Sequence, residues 1–386
     1  MKYISILLVL LLFGRFTTAQ DSPSALRISL VTCTPGSELY SVFGHNALRI
    51  VDSAAGTDIA YNFGTFNFDD PDFYTKFVRG KLLYYLSQEN FSDFLYAYNY
   101  FKRGVSEQVL NLSDQEKKTI QKALFENLRE ENKNYKYDFF YDNCSTRLRD
   151  IIFKTKSANA FDPPSFVEQG LTFRDHLHTY LDKAKMEWTK LGIDVLLGLD
   201  ADKEMSTSNA MFLPEFLKQG ASVALLGPNK LVSEEIVLLP DQQPAPDELP
   251  FWKMPLFVFV VVALILFPSV GSISGVLLSV QSVLEKSIFM ASGLLGFLLV
   301  FIWVGTDHQS MANNLNLVWA FPLNLILGFK TKHTPKWLKY YAKIYTAAVL
   351  VLLVAAMVKP GIISFAFFPL MLALSYRSWI CAKSIN

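Results

Sequence analysis

From about residue 255 to its end the chain is dominated by apolar residues, and this change of solvent constrains the fold more than any other feature. Apolar runs at 255–273, 287–304, 315–329, 344–358 and 361–378 approach the ~20 residues that a membrane-crossing helix needs. The third is short, and it and the fifth contain prolines, Pro322 and Pro369. The region 251–386 therefore reads as an α-helical transmembrane bundle of about five spans, with four spans and one re-entrant piece as the variant. The proline-rich acidic stretch DQQPAPDELPFWKMP, from Asp241, separates it from everything before.

Residues 1–20 carry Lys2, an apolar core at 4–13 and the small residues Thr17 and Ala19, the pattern of a secretory signal peptide; an uncleaved anchor is the alternative. Either way Asp21 onward is exported. With residue 21 outside, five spans put GFKTKHTPKWLKYYAK on the cytoplasmic side, where its Lys330, Lys332, Lys336, Lys339 and Lys343 belong. Arg377 and Lys383 follow, so the C-terminus is expected to be cytoplasmic. The same count places GTDHQSMANNLN, 305–316, on the outer face. Its Asp307, His308, Asn313, Asn314 and Asn316 sit close to hydrocarbon and are candidates for substrate contact, against the alternative of an ordinary solvated loop.

The exported region 21–250 mixes short strands, expected at 26–32, 47–52, 58–66, 81–87 and 105–112, with helices. The clearest helix is SDQEKKTIQKALFENLREEN, where Ser113 and Glu116 have capping-box spacing and Ile120, Leu124 and Leu128 share a face. This order fits an α+β domain with a largely antiparallel sheet, and a helical extension runs from about 161 to 216. A net charge of +1 offers no basic field for nucleic acid. Five histidines without HExxH or CxxC spacing give no metal site, and the absence of a glycine-rich phosphate loop gives no reason to expect a cofactor.

Two clusters carry more chemistry than packing needs. TCTPGSELYSVFGHNALRI brings Glu38, Tyr40 and His45 to the entrance of a strand. In YDFFYDNCSTRLRD, Tyr137–Tyr141 reads as strand, Asp142 and Asn143 as turn and N-cap, and Leu148, Ile151 and Ile152 as helix. Cys144 then stands at a helix N-terminus, where unpaired N–H groups favour a thiolate, and a nearby histidine would complete a nucleophile. Cys144 can equally be buried filler, or half of a disulfide with Cys33, the other exported cysteine. His176 and His178 read as surface residues of a helix, Arg147 as a phosphate contact or an exposed charge, and FNFDDPDFYTKFV as core or as a contact for acyl chains.

FGHNALRI followed by DNCSTRLRD resembles the circularly permuted papain-like Cys/His hydrolases and acyltransferases, the group of lecithin:retinol acyltransferase. More closely, TCTPGSELYSVFGHNALRI, YNFGTFNF, DFFYDNCSTRLRD, FLP at 212–214 and TDHQSMANNLNLVWAFPLNL resemble the Lnb family of Bacteroidota, a periplasmic domain followed by membrane helices. The resemblance implies a permuted papain-like exported domain, inner-membrane location and lipoprotein N-acyl transfer. A membrane phospholipid is then the acyl donor and a lipoprotein the acceptor. It implies Cys144 as nucleophile, His45 as base and acid, and Asn62 as the residue orienting the imidazole, with Asp58 behind it. Glu38, Tyr40, Arg147, His308, Asn313 and Asn316 are the expected substrate contacts. Two other readings remain open: a periplasmic Cys amidase or peptidase acting on cell-wall peptides, and a non-catalytic envelope scaffold.

Overall fold

A computed structural model describes residues 25–154, 166–226, 229–268, 275–329 and 335–385. The expected signal peptide, and Lys330 and Lys332 of the basic connection, lie outside the described residues.

The exported region is built on one antiparallel sheet. Its strands are β1 (Leu26–Cys33), β2 (His45–Asp52), β3 (Thr57–Thr65), β4 (Leu83–Asn90), β5 (Val105–Leu110), β6 (Asn134–Lys136) and β9 (Val232–Leu239). They lie in the order β6-β4-β3-β2-β1-β5-β9, and a two-stranded hairpin, β7 (Leu225–Leu226) with β8 (Asn229–Lys230), stands apart. Helices α1 (Phe73–Val78), α2 (Phe91–Tyr100), α3 (Asp114–Leu128) and α4 (Cys144–Lys154) interrupt or follow the strands. The helical extension holds α5 (Phe173–Lys183), α6 (Glu187–Leu196) and α7 (Pro214–Val223). The α+β reading of the sequence thus holds.

Strand alternation assigns the two faces. Ile28 and Leu30, Leu48 and Ile50, and Tyr61 and Phe63 pack on one face against α3, α4 and α7 through Ile120, Leu124, Leu148, Ile152 and Leu217. Val31, Cys33, Ala47 and Ala60 point the other way, under Phe91 and Phe94 of α2. Helix α3 begins with the expected reciprocal cap: Glu116 N–H donates to Ser113 Oγ, and the Glu116 carboxylate accepts from Ser113 N–H at 2.8 Å. The run 137–141 is not a strand as expected but a tight turn closed by the Asp138–Asp142 bridge; the strand is β6, just before it. Asp138 makes the turn by accepting from Phe140 N–H at 2.9 Å and from Tyr141 N–H at 3.0 Å. Edge strand β9 went unexpected because its VSEEIVLL faces are mostly solvated and carry little alternation.

The membrane region contains α8 (Pro255–Leu266), α9 (Val276–Gly305), α10 (Asn324–Gly328), α11 (Trp337–Val358) and α12 (Phe368–Ser384). Among the described residues three helices are long and apolar enough to cross a membrane: Val276–Gly305, Trp337–Val358 and Phe365–Ser384. The expected first span is a helix of only 12 residues. The expected third span is no continuous helix: a 3-10 turn at Leu315–Val318 is followed, after Pro322, by the five residues of α10. This broken segment lies tight against α9 because glycines admit it. A Cβ on Gly296 would fall 2.1 Å from the Ala320 carbonyl oxygen, and one on Gly293 2.4 Å from Leu325 N. Side chains satisfy the backbone that the break releases: the Trp319 carbonyl accepts from Asn324 Nδ2 at 2.9 Å and from Tyr345 OH at 2.8 Å. Arg377 is buried in the bundle with its Nε donating to Glu285 at 2.9 Å.

Candidate active site

Helix α4 starts where the sequence puts it. Asn143 Oδ1 accepts from Thr146 N–H at 2.9 Å, and Thr146 Oγ1 accepts from Asn143 N–H at 2.8 Å, so the cap is closed in both directions. The Asn143 amide also donates to the carbonyls of Phe139 at 2.8 Å and Phe212 at 2.9 Å. The FLP segment thereby acquires a task. Phe212 braces the cap, and Pro214 opens α7 beside Gly44, the residue before His45. Cys144 is the first residue of α4, half-buried.

His45 is the first residue of β2, paired across the sheet with Cys33. Its Nε2 donates to Asn62 Oδ1 at 3.2 Å, which leaves Nδ1 for the thiol. The Asn62 amide in turn donates to Glu89 Oε1 at 2.9 Å, and this fixes which end of the amide faces the ring. A second link holds the two halves together one residue further along each motif: Ser145 Oγ donates to Asn46 Oδ1 at 2.7 Å, while Asn46 Nδ2 donates to Thr32 Oγ1 at 2.8 Å. Gly64 sits at a break in the β3–β4 register with φ of 92°, a left-handed conformation that costs a side-chain-bearing residue energy. An added Cβ there would lie 3.8 Å from that of Cys144. A cavity of about 260 Å3 opens beside His45, Asn62, Gly64 and Glu89.

The electrostatics of the pair favour charge separation. Burial opposes ionisation of Cys144, but the charge of His45, a hydrogen bond from its ring, and bonds from Asn46 N–H and the Ser145 hydroxyl bring the thiol below its usual range. Burial likewise opposes charge on His45, and the Cys144 sulfur with Asn62 outweighs it, so the imidazole titrates above its usual range. A thiolate beside an imidazolium is a nucleophile with its proton donor in place. Cys33, buried beneath α2, is pushed up to about 12 by burial and stays a thiol. Neither Cys33 nor Cys144 is in a disulfide, so the pairing considered as an alternative is not formed.

The chain matches two family models in tandem, the Lnb N-terminal periplasmic domain over residues 13–172 and the Lnb transmembrane domain over residues 250–385. The chain belongs to the Lnb family. No curated protein and no solved structure matches it.

Of the site residues expected in this Lnb chain, Cys144, His45 and Asn62 come together and the others do not. Asp58 is not behind Asn62; it accepts from Arg49 Nε at 2.8 Å, and Glu89 takes the place expected of it. Glu89 was missed because it is distant in sequence and reaches Asn62 only across the β3–β4 pairing. Asn46 and Ser145 had a signal, since each directly follows a motif residue. Glu38 and Tyr40 lie in an exposed turn, with Tyr40 77% exposed, and neither lines the cavity beside His45. Arg147 donates to the Asp142 carboxylate at 2.8 Å and stacks on Tyr135 at 3.5 Å, so its guanidinium is already engaged. His176 is buried against Phe216 rather than exposed, and His178 Nε2 contacts Asp194 at 2.7 Å.

The 305–316 loop is a docking seam between the membrane region and the region before it. Asn314 Nδ2 donates to the Val195 and Leu196 carbonyls at 2.7 and 3.0 Å, and Asn316 Nδ2 to that of Asp194 at 3.1 Å. These are the last carbonyls of α6, which have no partner within their own helix. Asn316 Oδ1 also accepts from Trp319 Nε1 at 2.8 Å. Gly198 completes the fit, because a Cβ there would strike the Ala312 carbonyl. His308 Nε2 meets the Phe77 carbonyl at 3.1 Å, and Asp307 pairs with Lys136 at 2.7 Å. Asn313 is exposed at φ of 56° and serves the turn. Expected as substrate contacts, Asn316 and His308 are engaged in holding the domains together, and Asn313 in the turn. Beside the seam lies a cavity of about 730 Å3 lined by Tyr137, Asp138, Tyr141, Trp303, Thr306 and His308, among others.

Proposed function

We propose that this chain is a thiol-dependent acyltransferase that moves a fatty acyl chain from a membrane phospholipid to the N-terminal amine of a diacylglyceryl-modified lipoprotein. The observation that carries the reading is the Cys144–His45–Asn62 line: a thiol at the first residue of a helix, its pKa lowered by an imidazole that an amide orients. In the first half-reaction the Cys144 thiolate attacks an ester carbonyl of the phospholipid. The collapsing intermediate forms a thioester and releases the lyso-lipid alkoxide, which takes the proton of the His45 imidazolium. In the second, the lipoprotein amine attacks the thioester carbonyl, neutral His45 accepts its proton, and the thiolate leaves as the amide forms. Aminolysis of a thioester runs downhill, so no nucleotide is needed.

Water competes with the amine for the thioester, and a site held against the bilayer limits it. The seam supports such a placement, since the carbonyl end of α6 and the turn after α1 both rest on residues 305–316 at the outer end of α9. We infer five passes, with α8 and the broken 315–328 segment completing the set, a cytoplasmic C-terminus, and a periplasmic domain of permuted papain-like design at 21–250. The deciding experiment is intact mass of a lipoprotein N-terminus from cells whose only copy carries Cys144→Ser. The expected result is a species lighter by one acyl chain; an unchanged triacylated species removes the proposed reaction.

A further inference from the structure

The aromatic run 66–77 is only partly core. Phe73 is buried, but Phe68, Tyr74, Phe77 and Val78 are exposed by 69, 80, 51 and 48%. A cluster of this kind on a soluble surface marks a contact site, and its position identifies the partner. The turn after α1 is tied to the outer end of the spanning helix α9: Asp307 N–H donates to the Arg79 carbonyl at 3.0 Å, and His308 meets that of Phe77. Trp303 and Val304, the last exposed apolar residues of α9, lie just below. The cluster therefore stands at the level where a bilayer's headgroups meet its acyl chains, the level at which aromatic side chains concentrate.

From there an unbroken series of rings leads inward. Phe68 contacts Phe66 at a centroid distance of 4.6 Å, Phe66 contacts Tyr84 at 5.2 Å, and Tyr84 stacks on Tyr137 at 4.4 Å. Tyr137 and Cys144 are neighbours across Gly64, whose missing Cβ would lie 4.0 Å from the Tyr137 ring and 3.8 Å from Cys144 Cβ. Tyr137 also lines the cavity beside Trp303, so the path from α1 and the space above α9 converge on it.

We propose that the side chains of Phe68, Tyr74, Phe77 and Val78 dip into the outer leaflet, and that the strip Phe68–Phe66–Tyr84–Tyr137 binds a lipid acyl chain and guides it to Cys144. The proposal rests on the acyltransferase reading for its purpose, but its test does not require acyl transfer. A chain laid along the strip exchanges lipid neighbours for aromatic ones, so one end of a lipid can leave the leaflet without exposing its methylenes to water.

The test uses the full chain in phospholipid nanodiscs. Cys144 is alkylated with iodoacetamide or with N-dodecyl iodoacetamide, the two rates are followed by mass, and their ratio is compared among the wild type, Phe68→Ser, Phe66→Ser and Tyr84→Ser. The expected result is a roughly fivefold to tenfold fall in the dodecyl-to-plain ratio for Tyr84→Ser and Phe66→Ser, and a smaller fall for Phe68→Ser. Any general loss of reactivity divides out of the ratio, and Phe68→Ser, at a site 69% exposed, tests the strip with the least disturbance to packing. A ratio unchanged in all three overturns the strip. In the Cys144→Ser chain, a fluorophore on Tyr74→Cys should be quenched by doxyl-labelled lipid, whereas one on Ala55→Cys, in the turn before β3, should not. No quenching at Tyr74→Cys overturns the leaflet contact. A chain that passes both tests yet leaves lipoproteins unacylated would refute the proposed reaction and leave the strip standing.

Discussion

The candidate active site and the docking seam are built from the same residue types, histidine, asparagine and acid, and both stand out in the sequence as polar groups in apolar company. What separates them is where the hydrogen bonds end. In the seam, Asn314 and Asn316 commit their amides to the last carbonyls of α6, and the network closes with the Trp319 indole bound to Asn316. In the site, the line from Glu89 through Asn62 to His45 ends at a half-buried sulfur whose reactive form the ring stabilises. A polar cluster that closes on backbone is architecture, and one that ends on an ionised atom is chemistry.

The sharpest way to break this contrast is to remove one group from each side in the same assay. Cys144→Ser should lower acyl transfer by roughly 10^3-fold or more, because a hydroxyl gains far less from a neighbouring imidazole than a thiol does. Asn316→Ala should leave the rate per folded molecule within about twofold, since no part of it touches Cys144 or His45. Transfer assays on purified protein in lipid, normalised to folded fraction, read both; a catalytic collapse in Asn316→Ala would place the seam inside the chemistry.

The contrast sharpens with pH. Burial alone raises the Cys144 pKa, and the charge of His45 leads the effects that bring it below the ordinary 9.0. In the wild type, alkylation of Cys144 should therefore persist below pH 9 and fall only as the pH drops through the lowered thiol pKa. In His45→Ala only the Asn46 N–H and Ser145 hydroxyl bonds still oppose burial, so the profile should move to higher pH, and the rate near neutrality should fall roughly tenfold for every pH unit that the profile moves. Iodoacetamide kinetics across pH, with the alkylated cysteine identified by mass, measure that movement directly.

On the seam side the expected effect is stability alone. Truncating Asn316 leaves the buried Trp319 indole N–H without its partner and takes one donor from the Asp194 carbonyl, at a cost of about 1–3 kcal/mol. Thermal unfolding in nanodiscs should show a lowered midpoint, with Asn314→Ala similar and the double variant less than additive because each single variant already loses the bond from Asn316 Nδ2 to Asn314 Oδ1.

How far the sequence revealed this division follows from the range of each interaction. Cys144 and His45 were legible because local signals mark them: an Asn143 cap with a helical stripe behind it, and a glycine-punctuated strand start. The α+β pattern was legible from the periods of β1 to β5 and α3. The strand expected at 137–141 failed because aromatic content outweighed a turn signal that was present, Asp138 bonding forward to two N–H groups. The third segment is not one continuous helix: Pro322 was visible in the sequence, but hydropathy is blind to Asn324 and to the paired glycines that let a broken segment lie against α9. The seam and Glu89 were beyond reach for a common reason: their meaning lies in partners 118 or 27 residues away, which only the fold selects.

Glu89 gives the smallest and most discriminating effect. Its carboxylate accepts from Asn62 Nδ2, so that Oδ1 faces His45 Nε2–H, and it also lies close enough for its charge to be felt by the ring. Glu89→Gln keeps an acceptor for the Asn62 amide and loses the charge. Glu89→Leu removes both, freeing the amide to flip and set an NH2 against the ring N–H, which disfavours imidazolium. Charge alone predicts that the two variants behave alike. Positioning predicts about a twofold to threefold loss for Gln and about tenfold for Leu, with the alkaline limb of the Leu profile at lower pH because imidazolium is lost sooner as pH rises. Rescue of the Leu phenotype by Gln, in both rate and pH profile, would assign Glu89 to holding the amide; equal losses would assign it to the field at His45 and shorten the catalytic line by one residue.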